Sequence, residues 1–304
     1  CAWVAAHPRL GWRYGFAVAG CSMLIGLVFY LWARGHRLQG VGLPPAVRPG
    51  PSFPRGAGKS GLTAGEKRRI LALGIITIFV VFFWLAFEQV GSSLNVFAAH
   101  RTERRVDGWL ATLVPEGEIP AAWFQAVNPL FVLLLAPLMA GLWQRMGPQA
   151  PSTQAKMALG LVLLGGAYVV MVLGAAASDQ GDRVSPWYLI GFYLIYSLGE
   201  LCFLPAGFSF VGQAAPARLA SVLMGLWFTA NFIANVLGGY LAGMTERIER
   251  GELFQVFGGQ ADFFLIFVIL CAGAGLLLVL LLPVIDRLMS AGARYVPSLH
   301  QRPS

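Results

Sequence analysis

Long apolar runs separated by short polar stretches dominate the chain, and run length decides the elements. Such runs cover residues 12–33, 70–99, 122–143, 155–176, 187–210, 219–243 and 262–283. Each approaches or exceeds the roughly 20 residues that a helix needs to cross a hydrocarbon core of about 30 Å. The pattern predicts an all-α, polytopic membrane protein with about seven transmembrane helices. The run at 70–99 is too long for one straight crossing and is interrupted by Glu88, Gln89, Gly91, Ser92 and Ser93. A tilt or a break is expected there, with its polar turn lining something.

The run at 187–210 holds a single carboxylate, Glu200. At about 1.5 Å per residue it lies near the bilayer midplane. A charge there costs about 3 kcal/mol, whereas each surrounding Leu, Ile or Phe returns roughly 0.3–0.6 kcal/mol. The helix inserts despite its acid. Intramembrane acids face a bundle interior or a water-filled cavity, where they pair with a cation or carry a proton. The bland alternative is a structural acid bonded to a neighbouring helix. Gly199, Pro205 and Gly207 predict a distorted, closely packed helix around it.

The other polar residues inside apolar runs are Glu88, Gln89, Ser92, Ser93, Asn95, Gln125, Asn128, Ser197, Asn231 and Asn235. Glu88 and Ser92, four residues apart, are expected on one helical face with room for substrate or water; the alternative for Glu88 is an acid snorkelling outwards. Asn128 precedes Pro129, which disfavours helix at Asn128 and leaves its amide to a ligand or a neighbouring helix. Asn231 and Asn235 form a packing stripe with Gly238, Gly239 and Gly243. Trp84 and Trp227 lie within spans rather than at interfaces, which makes them pocket wall or core.

Composition agrees with this picture. The chain is 57% hydrophobic and 12% charged, against about a quarter charged in soluble domains. A basic n-region, short apolar core and small-residue cleavage site do not open it, so no cleavable signal peptide is expected. The net charge of +8 is distributed as a topology signal. If the first loop is outside, the inside segments hold Arg34, Arg37, Arg48, Arg55, Lys59, Lys67, Arg68, Arg69, Arg145, Lys156, Arg218, Arg287, Arg294 and Arg302. The outside segments hold fewer basic residues and most of the acids, including Glu116, Glu118, Asp179, Asp182, Glu246, Glu249 and Glu252. The amino end is then outside and the carboxyl end cytoplasmic. A basic stripe on a soluble module is missing, so no nucleic-acid partner is expected; the partner is the lipid bilayer.

Candidate chemistry is narrow. No Lys, Arg or His lies deep in a span, which excludes a retinal-type Schiff base and helical zinc or haem ligand pairs. No metal, no cofactor and no enzymatic activity are expected. Cys1, Cys21, Cys202 and Cys271 lack ligand spacing and read as free thiols, packed where they lie in apolar runs. A Gly- and Pro-rich stretch reads as a flexible linker and separates one span from six. The expected organisation is 1–34, a last helix of an amino-terminal half; 35–69, a cytoplasmic linker; 70–286, a six-helix bundle; and 287–304, a cytoplasmic tail.

Four stretches resemble consecutive motifs in the carboxyl-terminal half of the proton-dependent oligopeptide transporters of the major facilitator superfamily. They are FFWLAFEQVGSSLNVFA from Phe82, WFQAVNPLFVLLLAPLMAGLW from Trp123, SLGELCFLPAGFSFVGQAAPARL from Ser197 and MGLWFTANFIANVLGG from Met224. GWRYGFAVAGCSMLIGL from Gly11 resembles the last helix of the family's amino-terminal half. The resemblance implies a partial major-facilitator bundle and uptake of di- and tripeptides across the cell membrane, with protons as the coupling ion. It implies that Glu200 receives the peptide amino group and that Asn128 contacts the peptide backbone. Trp84 and Trp227 surround the pocket, and Glu88 answers a lysine of the other half.

Departures accompany the resemblance. Leu204 stands where the family commonly has Ser, and neither the amino-half motif ExxERFxYY nor the lysine that answers Glu88 is in these residues. The chain is therefore expected to be a fragment that cannot transport without the missing amino-terminal half. A carrier of another solute on the same fold and a non-transporting peptide sensor or scaffold are the alternatives.

Overall fold

A computed structural model describes residue 4 and residues 11–37, 62–112, 114, 117–216, 219–253 and 255–290, with Trp109 and Leu110 described in backbone only. Residues 38–61 of the expected linker and 291–304 of the expected tail lie outside the described residues, as do Cys1, Arg48, Arg55, Lys59, Glu116, Arg218, Arg294 and Arg302. Among the described residues, seven helical segments are long and apolar enough to cross a membrane. The chain divides into residues 1–62 with 105–120, and residues 63–104 with 121–304.

In the first unit, α1 (Gly11–His36) is a continuous apolar helix. Cys21 on it is exposed, not packed, because a helix apolar all round can face lipid as readily as a core. In the same unit Val106 N–H donates to the Gly117 carbonyl at 3.0 Å.

The second unit contains the other six spans. Helix α2 (Ala64–Phe87) starts ahead of its apolar run because Thr63 and Glu66 form a reciprocal capping box: Glu66 N–H donates to Thr63 Oγ1 at 3.2 Å and Thr63 N–H to Glu66 Oε2 at 2.8 Å. The expected break is a 3₁₀ turn over Glu88–Gly91, after which α3 (Ser93–His100) completes the crossing. A second 3₁₀ turn, Ala121–Ala126, leads into α4 (Val127–Met146). There follow α5 (Thr153–Ser178), α6 (Trp187–Ala214), α7 (Ala220–Gly243), the short α8 (Thr245–Glu249) and α9 (Gln260–Ser290).

Helix α5 lies between α6 and α9, and glycines set both approaches. A Cβ on Gly160 would stand 2.8 Å from the Gly199 carbonyl oxygen, and one on Gly165 would stand 2.9 Å from Ala272 N. Small residues let membrane helices gain van der Waals contact where lipid offers no hydrophobic drive between them. Aromatic rings fill the rest: Phe83 stacks on Phe203 at 3.9 Å, and Tyr168 packs on Phe192 and Phe267. Cys202 and Cys271 are buried free thiols.

At the end of this bundle shared by α3, α8 and the start of α9, loops are pinned by acids. Arg101 pairs with Asp179 at 3.5 Å, and Asp179 also accepts from Ala261 N–H at 3.3 Å. Asp262 is fully buried and accepts from the N–H groups of Val256, Phe257 and Gly258 at 3.1, 2.9 and 3.0 Å. Among the described residues, three backbone donors and no cation hold that carboxylate.

Candidate functional site

Glu200 lies mid-way along α6, half-buried, and its carboxylate meets α4: Asn128 Nδ2 donates to Glu200 Oε2 at 3.1 Å. Ser197, one turn earlier on α6, is fully buried, with Oγ 2.7 Å from both Asn128 Oδ1 and the Tyr193 carbonyl. Oδ1 thus faces the hydroxyl and the amide NH₂ faces the acid. Both Glu200 oxygens keep lone pairs for a proton or an ammonium group.

Pro129 was expected to disfavour helix at Asn128, yet Asn128 is the second residue of α4. Pro129 is tolerated next to it because the first turn has no internal partner for the missing N–H. Helix α6 runs on through Pro205, and the small residues flanking Glu200 serve close contacts. Gly199 abuts the backbone of Gly160, and a Cβ on Gly207 would land on the Trp227 indole.

Glu88 and Ser92 do not share a helical face as expected. The turn between them is 3₁₀, with three residues per turn, and Ser92 leaves helical geometry at φ −117°, ψ −93°. Both are exposed, and the Ser92 hydroxyl turns to Gln89 Oε1 at 3.3 Å. Gln89 is the buried organiser of this break: its Oε1 also accepts from Ser93 at 2.9 Å, and its Nε2 donates to the Leu85 carbonyl at 3.2 Å.

Trp84 is half-buried and stands edge-on to Phe83 and Phe87. Trp227 is fully buried against Phe203 and Phe208, so in this conformation it is core. Both indole N–H groups are buried with no acceptor among the described residues. Asn235 Nδ2 donates to Asn231 within α7 at 3.0 and 3.2 Å.

Two tyrosines were not singled out from the sequence. Tyr168 OH donates to the Ala86 carbonyl at 2.6 Å and Tyr196 OH to the Phe87 carbonyl at 3.1 Å. These carbonyls belong to the last turn of α2, where helical partners run out. Tyr196 is four residues before Glu200, and its ring stacks on Phe87 at 4.6 Å, so the acid-bearing turn of α6 is tied to the residue before Glu88. The legible signal was a phenol in an apolar run, since a buried hydroxyl needs a partner.

The sequence profile of the POT family matches residues 61–257. The chain belongs to the POT family. Among relatives, peptide transporter YePEPT of Yersinia enterocolitica is 34% identical over 229 residues, which are 74% of this chain and 42% of the relative. Dipeptide and tripeptide permease A of Citrobacter koseri is 32% identical over 287 residues, covering 82% of this chain and 55% of the relative. A solved structure of a mutant peptide transporter POT in complex with alafosfalin superposes with a TM-score of 0.64 at 30% identity, over 75% of this chain and 43% of the other. The chain spans about half the length of the curated relatives it matches. With its seven apolar spans, this POT family chain is a multi-pass membrane protein.

Proposed function

We infer that the chain is the carboxyl-terminal portion of a proton-coupled importer of di- and tripeptides in the cell membrane. The observation that carries this reading is the Ser197–Asn128–Glu200 relay: a carboxylate inside an apolar helix, held at one oxygen by an oriented amide. The relatives, a peptide transporter and a dipeptide and tripeptide permease, support the substrate class.

A carboxylate in this setting is neutralised by one cation at a time. A proton on Glu200 satisfies it while the site is empty; the amino group of a peptide displaces that proton by offering up to three N–H donors and a full charge. Substrate occupancy and protonation are then linked at one group, which is the requirement for coupling uptake to an inward proton gradient. Asn128 orients the carboxylate and can share its amide with the peptide backbone. Trp84 and Trp227 supply apolar wall and indole N–H donors once the carrier rearranges, and Ser92 belongs to the same polar break as Glu88. Glu88, exposed on this unit, would answer a cation contributed by the amino-terminal half. Protons are the coupling ion in this reading, which requires neither a metal nor a cofactor. The work is translocation, with no covalent change to the substrate. The basic excess of the inside segments supports an amino end outside and a carboxyl end in the cytoplasm.

The test is dipeptide accumulation by the complete transporter carrying Glu200→Gln. The amide keeps the shape and the Asn128 contact but cannot exchange a proton, so proton-driven uptake is lost while membrane insertion is retained. Accumulation equal to that of the unaltered protein rules the assignment out.

A further inference from the structure

A cavity of about 410 Å³ opens between the break after α2, the end of α7, α8 and the first turn of α9. It lies within the second unit, away from Glu200, and Ser92 and Ser93 form one side of it. Thr245, Glu246 and Glu249 form another, immediately after the membrane-spanning α7 ends at Gly243, so the cavity opens near the level of lipid headgroups. Gln260 lines it from the first turn of α9. None of the described residues lining it is basic.

Two groups in this cavity lack partners. Gln260 is 4% exposed, lines the cavity, and its amide makes no hydrogen bond among the described residues. Its small exposed surface faces the cavity, so the amide is available to whatever occupies that space. Glu249 makes neither an ion pair nor a hydrogen bond among the described residues, whereas the neighbouring Glu246 is shared with Arg250 at 3.0 Å. Burial pushes the Glu249 carboxyl above the usual carboxylate range, against the pull of Arg101 and with Asp179 and Glu246 adding to the rise. Arg101 forms its ion pair with Asp179 and acts on Glu249 only as a longer-range charge.

We propose that this cavity binds a primary ammonium group, held chiefly by Glu249 and the Gln260 amide oxygen, with Glu246, whose carboxylate is shared with Arg250, as the third acceptor. An ammonium has three N–H donors, and two carboxylates with a neutral acceptor match that number and sign. A quaternary ammonium lacks those donors and is recognised by aromatic cages, which this lining does not provide. A divalent ion needs a denser oxygen shell, and the described residues contain no group of three metal-ligating side chains. The volume is that of a small-molecule pocket rather than a bare ion site. The amine comes either from an aminophospholipid headgroup or from a free primary amine in solution.

Two probes separate the sources. Native mass spectrometry of the protein in detergent with equal phosphatidylethanolamine and phosphatidylcholine reads the lipid arm, and equilibrium binding of radiolabelled ethanolamine reads the soluble arm. Selective retention of phosphatidylethanolamine assigns the amine to lipid, and saturable ethanolamine binding without that selectivity assigns it to solution. In either case Glu249→Gln weakens binding at least tenfold, and if that variant fails to fold, Gln260→Leu, of similar bulk, is read in its place. The proposal is overturned if neither probe binds, if binding is unchanged in the variant read, or if it is lost in Glu200→Gln, which would move the amine to the peptide site.

Discussion

The hydroxyl of Ser197 has one proton and two acceptors at 2.7 Å, the Tyr193 carbonyl and Asn128 Oδ1. The Tyr193 contact is available to any serine in a helix, but the Asn128 contact fixes which end of the amide faces Glu200. Removing it frees the amide to rotate while leaving the acid untouched. Ser197→Ala is therefore expected to weaken peptide uptake by the complete transporter about two- to tenfold, the range of one hydrogen bond of roughly 0.5–1.5 kcal/mol. Initial uptake rates at varied dipeptide concentration check this, with the loss in apparent affinity rather than in protein level. A lone carboxylate in an apolar run is visible in the sequence, because nothing else there opposes insertion. Its partner is not, because Asn128 and Glu200 are 72 positions apart and helix packing alone decides which faces meet. Ser92 shows the reverse case: an i, i+4 spacing misled because the backbone between the two residues winds as 3₁₀.

Elements raise a different question, how a span can break inside a membrane without stranding its backbone. Water cannot reach the freed carbonyls, so other helices must satisfy them. Tyr168 from α5 and Tyr196 from α6 do so at Ala86 and Phe87. Tyr168→Phe keeps the ring among Phe192 and Phe267 and strands a buried carbonyl, at a cost of about 1–3 kcal/mol. Its melting midpoint in detergent should fall below that of the unaltered protein, whereas an unchanged midpoint would mean that the carbonyl finds another donor. The polar run from Glu88 to Ser93 announced the break, but the tyrosines that stabilise it could not be assigned without knowing which helices adjoin α2. Glu249 adds an element-scale pH dependence at α8. Its carboxyl is raised in the folded protein, chiefly by burial, so folding is favoured most when it is protonated. That contribution is fully present below the ordinary glutamate pKa of about 4.3 and is lost as pH rises through the higher folded value. Glu249→Gln should flatten this limb of the stability profile and raise the midpoint at neutral pH, as melting curves across pH 4–8 would record.

For the whole molecule, charge placement predicts which way the bundle faces. At the end carrying α8, basic groups are neutralised locally: Arg101 by Asp179, Arg247 by Glu252 at 3.1 Å and Arg250 by Glu246. At the other end Lys67, Arg68, Arg69, Arg145 and Lys156 cluster at helix ends with few acids among them, and Lys156 lies over the Trp143 ring at 4.8 Å. Basic loops are retained on the cytoplasmic side of a bacterial-type membrane, and acids contribute little to that choice. Two exposed positions on opposite ends of the second unit report the outcome, Asp182 in the loop before α6 and Gln149 in the turn before α5. On a background with Cys1 and Cys21 replaced by Ser, a membrane-impermeant maleimide applied to intact cells should label Asp182→Cys and spare Gln149→Cys until the membrane is opened. Labelling in the opposite order would invert the bundle, put the Glu246 and Glu249 cavity on the cytoplasmic side, and require any amine bound there to come from the inner leaflet or the cytosol.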